Sequence, residues 1–242
     1  MKIPKIIHQI WVGDKSAPLK WMRTWQEKNP DWKYVLWNNE KILNFNFINK
    51  NHIKYYWNRK IWHGVADVAR YEILYNYGGL MPGADSECLL PIDDIFKNNY
   101  DLFAVRCGAE PEDWARVDGK KDKILPAFLL GDELLSGLGA DKKKAIAPIY
   151  ACSQRNKFIK KLISELSKVK KLEQPWKTTG NRFCTEMILK HKPRIKIFPM
   201  HYFMPYHPPT RYGESEYHYI GKDKVYATHK WGSTLNTYNK GI

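Results

Sequence analysis

The first 37 residues read strand, helix, strand, an order that constrains the fold more than any other feature of the chain. Residues 3–13 form a β-rich run, with Ile3, Ile6, Ile7, Ile10, Trp11 and Val12, and end in Gly13. Such a run suits a buried strand leading into a loop. Residues 18–29 have helical character, and Pro30 stops them. Residues 32–37 are aromatic and alternate, as a second strand does. Parallel strands need a crossover, and a helix packed on the sheet supplies it. The chain has 242 residues, enough to bury a real core, with no internal repeat and no long linker. One domain over residues 1–242 is therefore expected.

Further along, residues 61–77 read as a helix. Val65, Ala69, Ile73 and Tyr77 recur every fourth residue, with Val68 and Leu74 beside them. Gly78 and Gly79 end it, because glycine takes the left-handed cap without a Cβ penalty. Leu80 and Met81 begin a strand, and residues 86–90 and 102–106 give two more. Residues 154–173 carry an apolar stripe of Phe158, Leu162, Ile163, Leu166 and Val169, with lysines elsewhere. Residues 195–198 and 225–228 read as late short strands. Two polar or Pro-, Tyr- and His-rich stretches, 107–125 and 204–222, read as loops, the first a candidate lid.

Composition narrows the function classes. With 43% hydrophobic and 14% aromatic residues, most of the chain should fold. No apolar run reaches the roughly 18 residues of a membrane span, and the N-terminus lacks the pattern of a signal peptide. The cysteines, Cys88, Cys107, Cys152 and Cys184, form no C-x-x-C pair. Buried free thiols in a reducing compartment, the cytoplasm, are the expectation. The net charge of +15 attracts polyanions: nucleic acid, an anionic membrane surface or a diphosphate ligand. The lysines are scattered and no nucleic-acid motif is present, so no specific nucleic-acid partner is expected. Peripheral contact with an anionic membrane stays open.

Four groups of residues could carry chemistry. Gln9 and Trp11 stand at the end of the first strand, where open α/β sheets bind ligands. Trp11 either stacks on a base or belongs to the core. Asp67 and Arg70 share one helix face, either as a salt bridge or as a grip on a ribose and a phosphate. Asp85 and Glu87 follow a Gly/Pro-rich turn, two residues apart, and hard carboxylate oxygens suit Mg²⁺ or Mn²⁺. His229, Lys230 and Trp231 follow a late strand, where a histidine serves as metal ligand or as structure.

Three stretches together resemble glycosyltransferase family 32. They are Ile3-Pro4-Lys5-Ile6-Ile7-His8-Gln9-Ile10-Trp11, then Ala66-Asp67-x-x-Arg70-Tyr71-x-x-Leu74-x-x-x-Gly78-Gly79 with Ala84-Asp85-Ser86, and His229-x-Trp231. That family includes yeast-type mannosyltransferases and is similar to the core of glucosylating clostridial toxins. The resemblance implies an α/β fold of the GT-A type, a Rossmann-like, mostly parallel central sheet flanked by helices. It implies a nucleotide-sugar donor, a UDP- or GDP-sugar, and a glycan or lipid-linked saccharide acceptor. It further implies retention of configuration and a Mn²⁺ (or Mg²⁺) ion on a D-x-D motif. Carried over by position, Trp11 would stack on the base, with Gln9 and Gly79 beside the donor. Asp67 and Arg70 would hold its sugar and ribose. Asp85 would ligate the metal, with His229 and Glu87 completing the site. Lys230 and Trp231 would face the departing phosphate, and Asp85, Arg70 and His229 would carry the catalysis.

Two positions depart from the family. Gly83 stands where the first aspartate of D-x-D is expected, and Met81 where a tyrosine is. Loss of a charge-assisted contact is worth roughly 1.5–3 kcal/mol. Two readings follow: a retaining, metal-dependent transferase, or a weak or inactive sugar-nucleotide-binding homologue.

Overall fold

A computed structural model of the chain describes residues 2–98, 100–105, 150–208, 217–232 and 238. The opening strand–helix–strand unit is β1 (Ile6–Ile10), α1 (Leu19–Lys28) and β2 (Lys33–Trp37). β1 pairs in parallel with β2, Ile6 opposite Lys33 through Ile10 opposite Trp37. Two short helices, α2 (Asn39–Asn44) and α3 (Lys50–Asn58), lead to α4 (Trp62–Tyr77). Asn38 starts α2, its side chain accepting from the Lys41 N–H.

Gly78 and Gly79 turn the chain from α4 straight into β3 (Gly79–Leu80). Both have positive φ, 65° and 98°. A Cβ on Gly79 would lie 2.5 Å from the Ile6 carbonyl oxygen. Only glycine lets the backbone come so close to β1. β3 is parallel to β1, so the carboxyl ends of both strands open on the same edge.

After the short helix α5 (Asp93–Phe96), the sheet continues through β5 (Leu102–Val105), β6 (Ala151–Cys152) and β7 (Lys196–Phe198) in the order β2-β1-β3-β6-β5-β7. β6 runs antiparallel to both its neighbours, and the other pairings are parallel. A mostly parallel sheet with helices on both faces is the architecture that the sequence led us to expect. One face carries Val65, Val68, Ile73 and Leu74 of α4 against α6 (Lys157–Leu166) and α8 (Asn181–His191). The other carries Trp25 of α1 with Leu80, Phe103 and Phe198. Outside the main sheet, β4 (Ser86–Cys88) pairs antiparallel with β10 (Ala227–His229), placing His229 opposite Ser86.

Several expected boundaries shift. The helix read over 154–173 is α6 alone, because the Asn156 side chain caps it by accepting from Phe158 and Ile159 N–H groups. Of its stripe, Phe158, Leu162, Ile163 and Leu166 are buried, and Val169 lies past its end. Inside the stretch read as a loop, β8 (Tyr206–His207) and β9 (Tyr217–His218) pair as a short antiparallel ribbon. α7 (Pro175–Thr178) and α8 follow a stretch that gave no sequence expectation. Cys88, Cys152 and Cys184 are buried, and Cys88 and Cys152 are free thiols. Cys107 and the candidate lid at 107–125 lie outside the described residues. Among the described residues, no helix is long and apolar enough to cross a membrane.

Candidate functional site

A cavity of about 390 Å³ opens beyond the carboxyl ends of β1 and β3, where α/β sheets receive ligands. Its wall comes from four distant parts of the chain. Trp11 and Lys15 follow β1, Asp67 and Arg70 come from α4, Gly83 and Asp85 follow β3, and His229 ends β10. A larger hollow of about 550 Å³ lies against the edge strand β2, walled by Val35, Trp37, Phe45 and Tyr77. His8, on its wall, is already engaged with the Gly78 carbonyl at 2.9 Å and the Trp37 indole N–H at 3.1 Å. We place the chemistry in the smaller cavity, where acids and bases converge.

Trp11 is half-buried, its ring edge-on to Tyr238 at 5.0 Å. Its indole N–H donates to the Lys15 carbonyl at 2.8 Å, which fixes the ring at the cavity mouth. Gln9 plays another part. It is fully buried, donates from Nε2 to the Gly83 carbonyl at 2.9 Å, and accepts from the Tyr34 hydroxyl at 2.7 Å. It braces the turn below the cavity and is not on its wall. Gly79 is likewise a backbone device beside β1.

Asp67 and Arg70 both line the cavity. Among the described residues, no hydrogen bond or ion pair engages the Asp67 carboxylate, and Arg70 Nε is buried without a partner. Burial pushes the Asp67 carboxyl up to about 6, with the nearby Arg70 charge pulling the other way. Gly180, before α8, backs the carboxylate closely: a Cβ there would stand 2.6 Å from Asp67 Oδ2. Polar groups left unsatisfied on a cavity wall are suited to a ligand that satisfies them.

Asp85 and His229 meet directly, with Oδ1 and Nε2 3.1 Å apart. The backbone after β10 wraps this pair. Lys230 N–H donates to the Asp85 carbonyl at 2.7 Å, and Gly232 N–H to Asp85 Oδ2 at 3.0 Å. Trp231 N–H donates to His229 Nδ1 at 3.1 Å. Trp231 itself takes a left-handed φ of 52°, the turn that aims these N–H groups inward. Burial pushes the Asp85 carboxyl up, but the pull of His229 and the Gly232 N–H outweighs it and holds the group below its usual range.

Glu87 and Lys230 are not on the wall of this cavity. They pair with each other at 2.5 Å, Glu87 on β4 beside Lys230 just past β10. Trp231 packs on the His229 ring at 4.5 Å, and its indole N–H donates to the Tyr206 carbonyl. The trio of Asp85, His229 and Glu87 is thus not assembled. Among the described residues, no group of three His, Cys, Asp or Glu side chains is placed to hold a metal ion. Sequence reasoning did not find Lys15, Lys60, Trp62, His63 or Tyr238, which also line the cavity. They sit in loops or at a helix start with no periodic signal.

Residues 18–101 match the family described as the glycosyltransferase sugar-binding region containing a DXD motif. Inositol phosphoceramide mannosyltransferase 1 of Schizosaccharomyces pombe is 37% identical over 140 residues, 52% of this chain and 42% of that protein. Mannosyl phosphorylinositol ceramide synthase SUR1 of Saccharomyces cerevisiae is 33% identical over 99 residues, 38% of this chain and 25% of that one. The chain therefore spans less than half the length of these relatives. Among solved structures, one titled PaToxG Glycosyltransferase shares the fold, with a TM-score of 0.50 and 15% identity. The alignment covers 78% of this chain and 70% of that one.

Proposed function

We propose, from its kinship with the DXD-containing glycosyltransferases over residues 18–101, that this chain moves a sugar from a UDP- or GDP-sugar to a saccharide or lipid-linked acceptor. The observation that carries this reading is the convergence of Trp11, Asp67, Arg70, Asp85 and His229 on one cavity at the carboxyl edge of the sheet. Trp11 offers a ring at the mouth for the base, where stacking is worth about 1–3 kcal/mol. Asp67 accepts from sugar or ribose hydroxyls, and Arg70 donates to phosphate oxygens. Two of the relatives carry a ceramide lipid in their names, which favours a lipid-linked acceptor. A basic chain at an anionic cytoplasmic surface fits that acceptor.

Retention of configuration is part of the proposal. The acceptor hydroxyl attacks the anomeric carbon from the face that the diphosphate leaves. The bond from that carbon to the β-phosphate oxygen breaks, the bond to the acceptor oxygen forms, and the acceptor's proton passes to the departing phosphate. Preorganised cations and N–H groups stabilise the charge on the leaving group. The Mn²⁺ or Mg²⁺ expected from the resemblance would be held by Asp85, which belongs to no group of three ligating side chains among the described residues.

The test is release of UDP or GDP from a panel of nucleotide sugars in the presence of saccharide and glycolipid acceptors. One donor should be consumed, and Asp85→Asn should slow its turnover by about a hundredfold, the effect of losing one preorganised electrostatic contact. Gly83 favours a second reading, a sugar-nucleotide binder without turnover. Thermal stabilisation by a donor that is never cleaved would establish it.

A further inference from the structure

We infer that this chain binds the diphosphate of its donor without a divalent ion, Lys15, Lys60 and Arg70 supplying the positive charge and His229 fixing Asp85 as a hydrogen-bond donor. The inference rests on the donor reading above and concerns how that site handles charge.

Its first support is the state of His229. Nδ1 accepts from the Trp231 backbone N–H. A backbone amide has no other role to play, so the neutral ring carries its proton on Nε2. That proton points at Asp85 Oδ1, 3.1 Å away. A metal-ligating histidine has the opposite arrangement, with a bare nitrogen on the metal and the other nitrogen donating outward. Here the outward nitrogen accepts, and the inward nitrogen has no lone pair to give.

The second support is Asp85. Both of its carboxylate oxygens already receive protein donors, His229 Nε2 on one and Gly232 N–H on the other. Among the described residues, no third ligating side chain joins Asp85 and His229. A Cβ on Gly83 would lie 3.1 Å from Asp85 Oδ1 and 3.4 Å from His229 Nε2, so this is the place from which a second acid would reach the pair. Glu87 is engaged with Lys230 instead. Hard dications need several oxygen ligands, and the two carboxylates on the wall, Asp67 and Asp85, belong to no group of three ligating side chains among the described residues.

The third support is the surplus of cations. Lys15, Lys60 and Arg70 line the same cavity as the acids Asp67 and Asp85. Arg70 Nε is buried without a partner among the described residues. Among the described residues, Lys60 has only a loose, exposed pairing with Asp14 at 3.5 Å. A diphosphate brings the negative charge that this wall lacks, and Arg and Lys bind it without metal.

Calorimetric titration of the purified chain with UDP and GDP, in EDTA, in Mn²⁺ and in Mg²⁺, tests the inference. The dissociation constant of the preferred nucleotide should agree across the three conditions within about twofold. The Lys15→Ala, Lys60→Ala double variant should bind about tenfold or more weakly in EDTA. Gly83→Asp sets a second carboxylate beside Asp85. Mn²⁺ alone, without nucleotide, should then raise the melting temperature of this variant and leave that of the parent unchanged. Tightening of nucleotide binding by Mn²⁺ in the parent, about tenfold or more, overturns the inference and leaves the donor reading standing. Failure of both nucleotides to bind under every condition overturns both. If Gly83→Asp does not fold, the parent's EDTA and Mn²⁺ titrations still decide.

Discussion

Asp67 shows how much a single residue's surroundings add to what a motif says. Its place three residues before Arg70 on a helix is legible in the sequence. Its chemistry is not, because the carboxyl is raised to about 6 by burial against parts of the chain far away in sequence, Gly180 among them. The folded group keeps its proton up to about 6, whereas the unfolded one releases it near 3.8. Its contribution to stability is thus full below about 3.8 and is lost as pH rises through about 6. The loss is roughly 3 kcal/mol at about 1.4 kcal/mol per pH unit, and Asp67→Asn removes it. Binding should change in the other direction, since a charged carboxylate is the better acceptor for a sugar hydroxyl. Nucleotide-sugar affinity measured from pH 5 to 7.5 should rise with a midpoint near 6, and Asp67→Asn should flatten the curve. A midpoint that persists in Asp67→Asn would assign the titration to another group on the wall, such as His63.

At the scale of elements, the opening strands and the helices with long apolar stripes were readable, whereas the two-residue strand β6 and the ribbon at 206–207 and 217–218 were not. α4 and its glycine stop follow from spacing and from the freedom of glycine at positive φ. What α4 does for its neighbours is tertiary. Glu72, buried on it, accepts from the N–H groups of Ile48 and Asn49 and so anchors the start of α3. The pairing of β4 with β10 decides that His229 faces Asp85 while Glu87 goes to Lys230, and no spacing within either segment reveals a register between them. The turn from α7 into α8 was equally silent, yet a Cβ on its Gly180 would stand 2.6 Å from Asp67 Oδ2 and 3.0 Å from the Trp176 Cα. Gly180→Ala should therefore push the Asp67 carboxylate off its position. The expected result is nucleotide-sugar affinity weakened by about tenfold, at a stability cost of about 1–3 kcal/mol. Calorimetry and thermal melting on the same variant separate the two effects. Unchanged affinity would show that Asp67 does not hold the donor.

Over the whole molecule, charge and core have separate consequences. The two apolar faces of the sheet hold the fold together, and the helices on them bury what the composition promised. The net charge of +15 contributes nothing to that packing and repels itself. An excess of this size on a folded chain is best explained by what it meets outside. A diphosphate needs only the few cations on the cavity wall, so most of the lysines lie beyond the reach of the donor. A surface of anionic lipid engages scattered lysines without a specific motif, each worth about 1 kcal/mol close to the bilayer. Such attraction falls off within a Debye length, about 8 Å at physiological salt. The chain should then sediment with vesicles containing about 30% phosphatidylserine and stay in solution with neutral ones. It should leave the anionic vesicles as salt rises to about 0.5 M. If acceptor lipid is what holds the chain there, neutral vesicles doped with an uncharged glycolipid should capture it as well, with far less sensitivity to salt. Equal partition onto neutral and anionic vesicles would mean that the charge serves neither role.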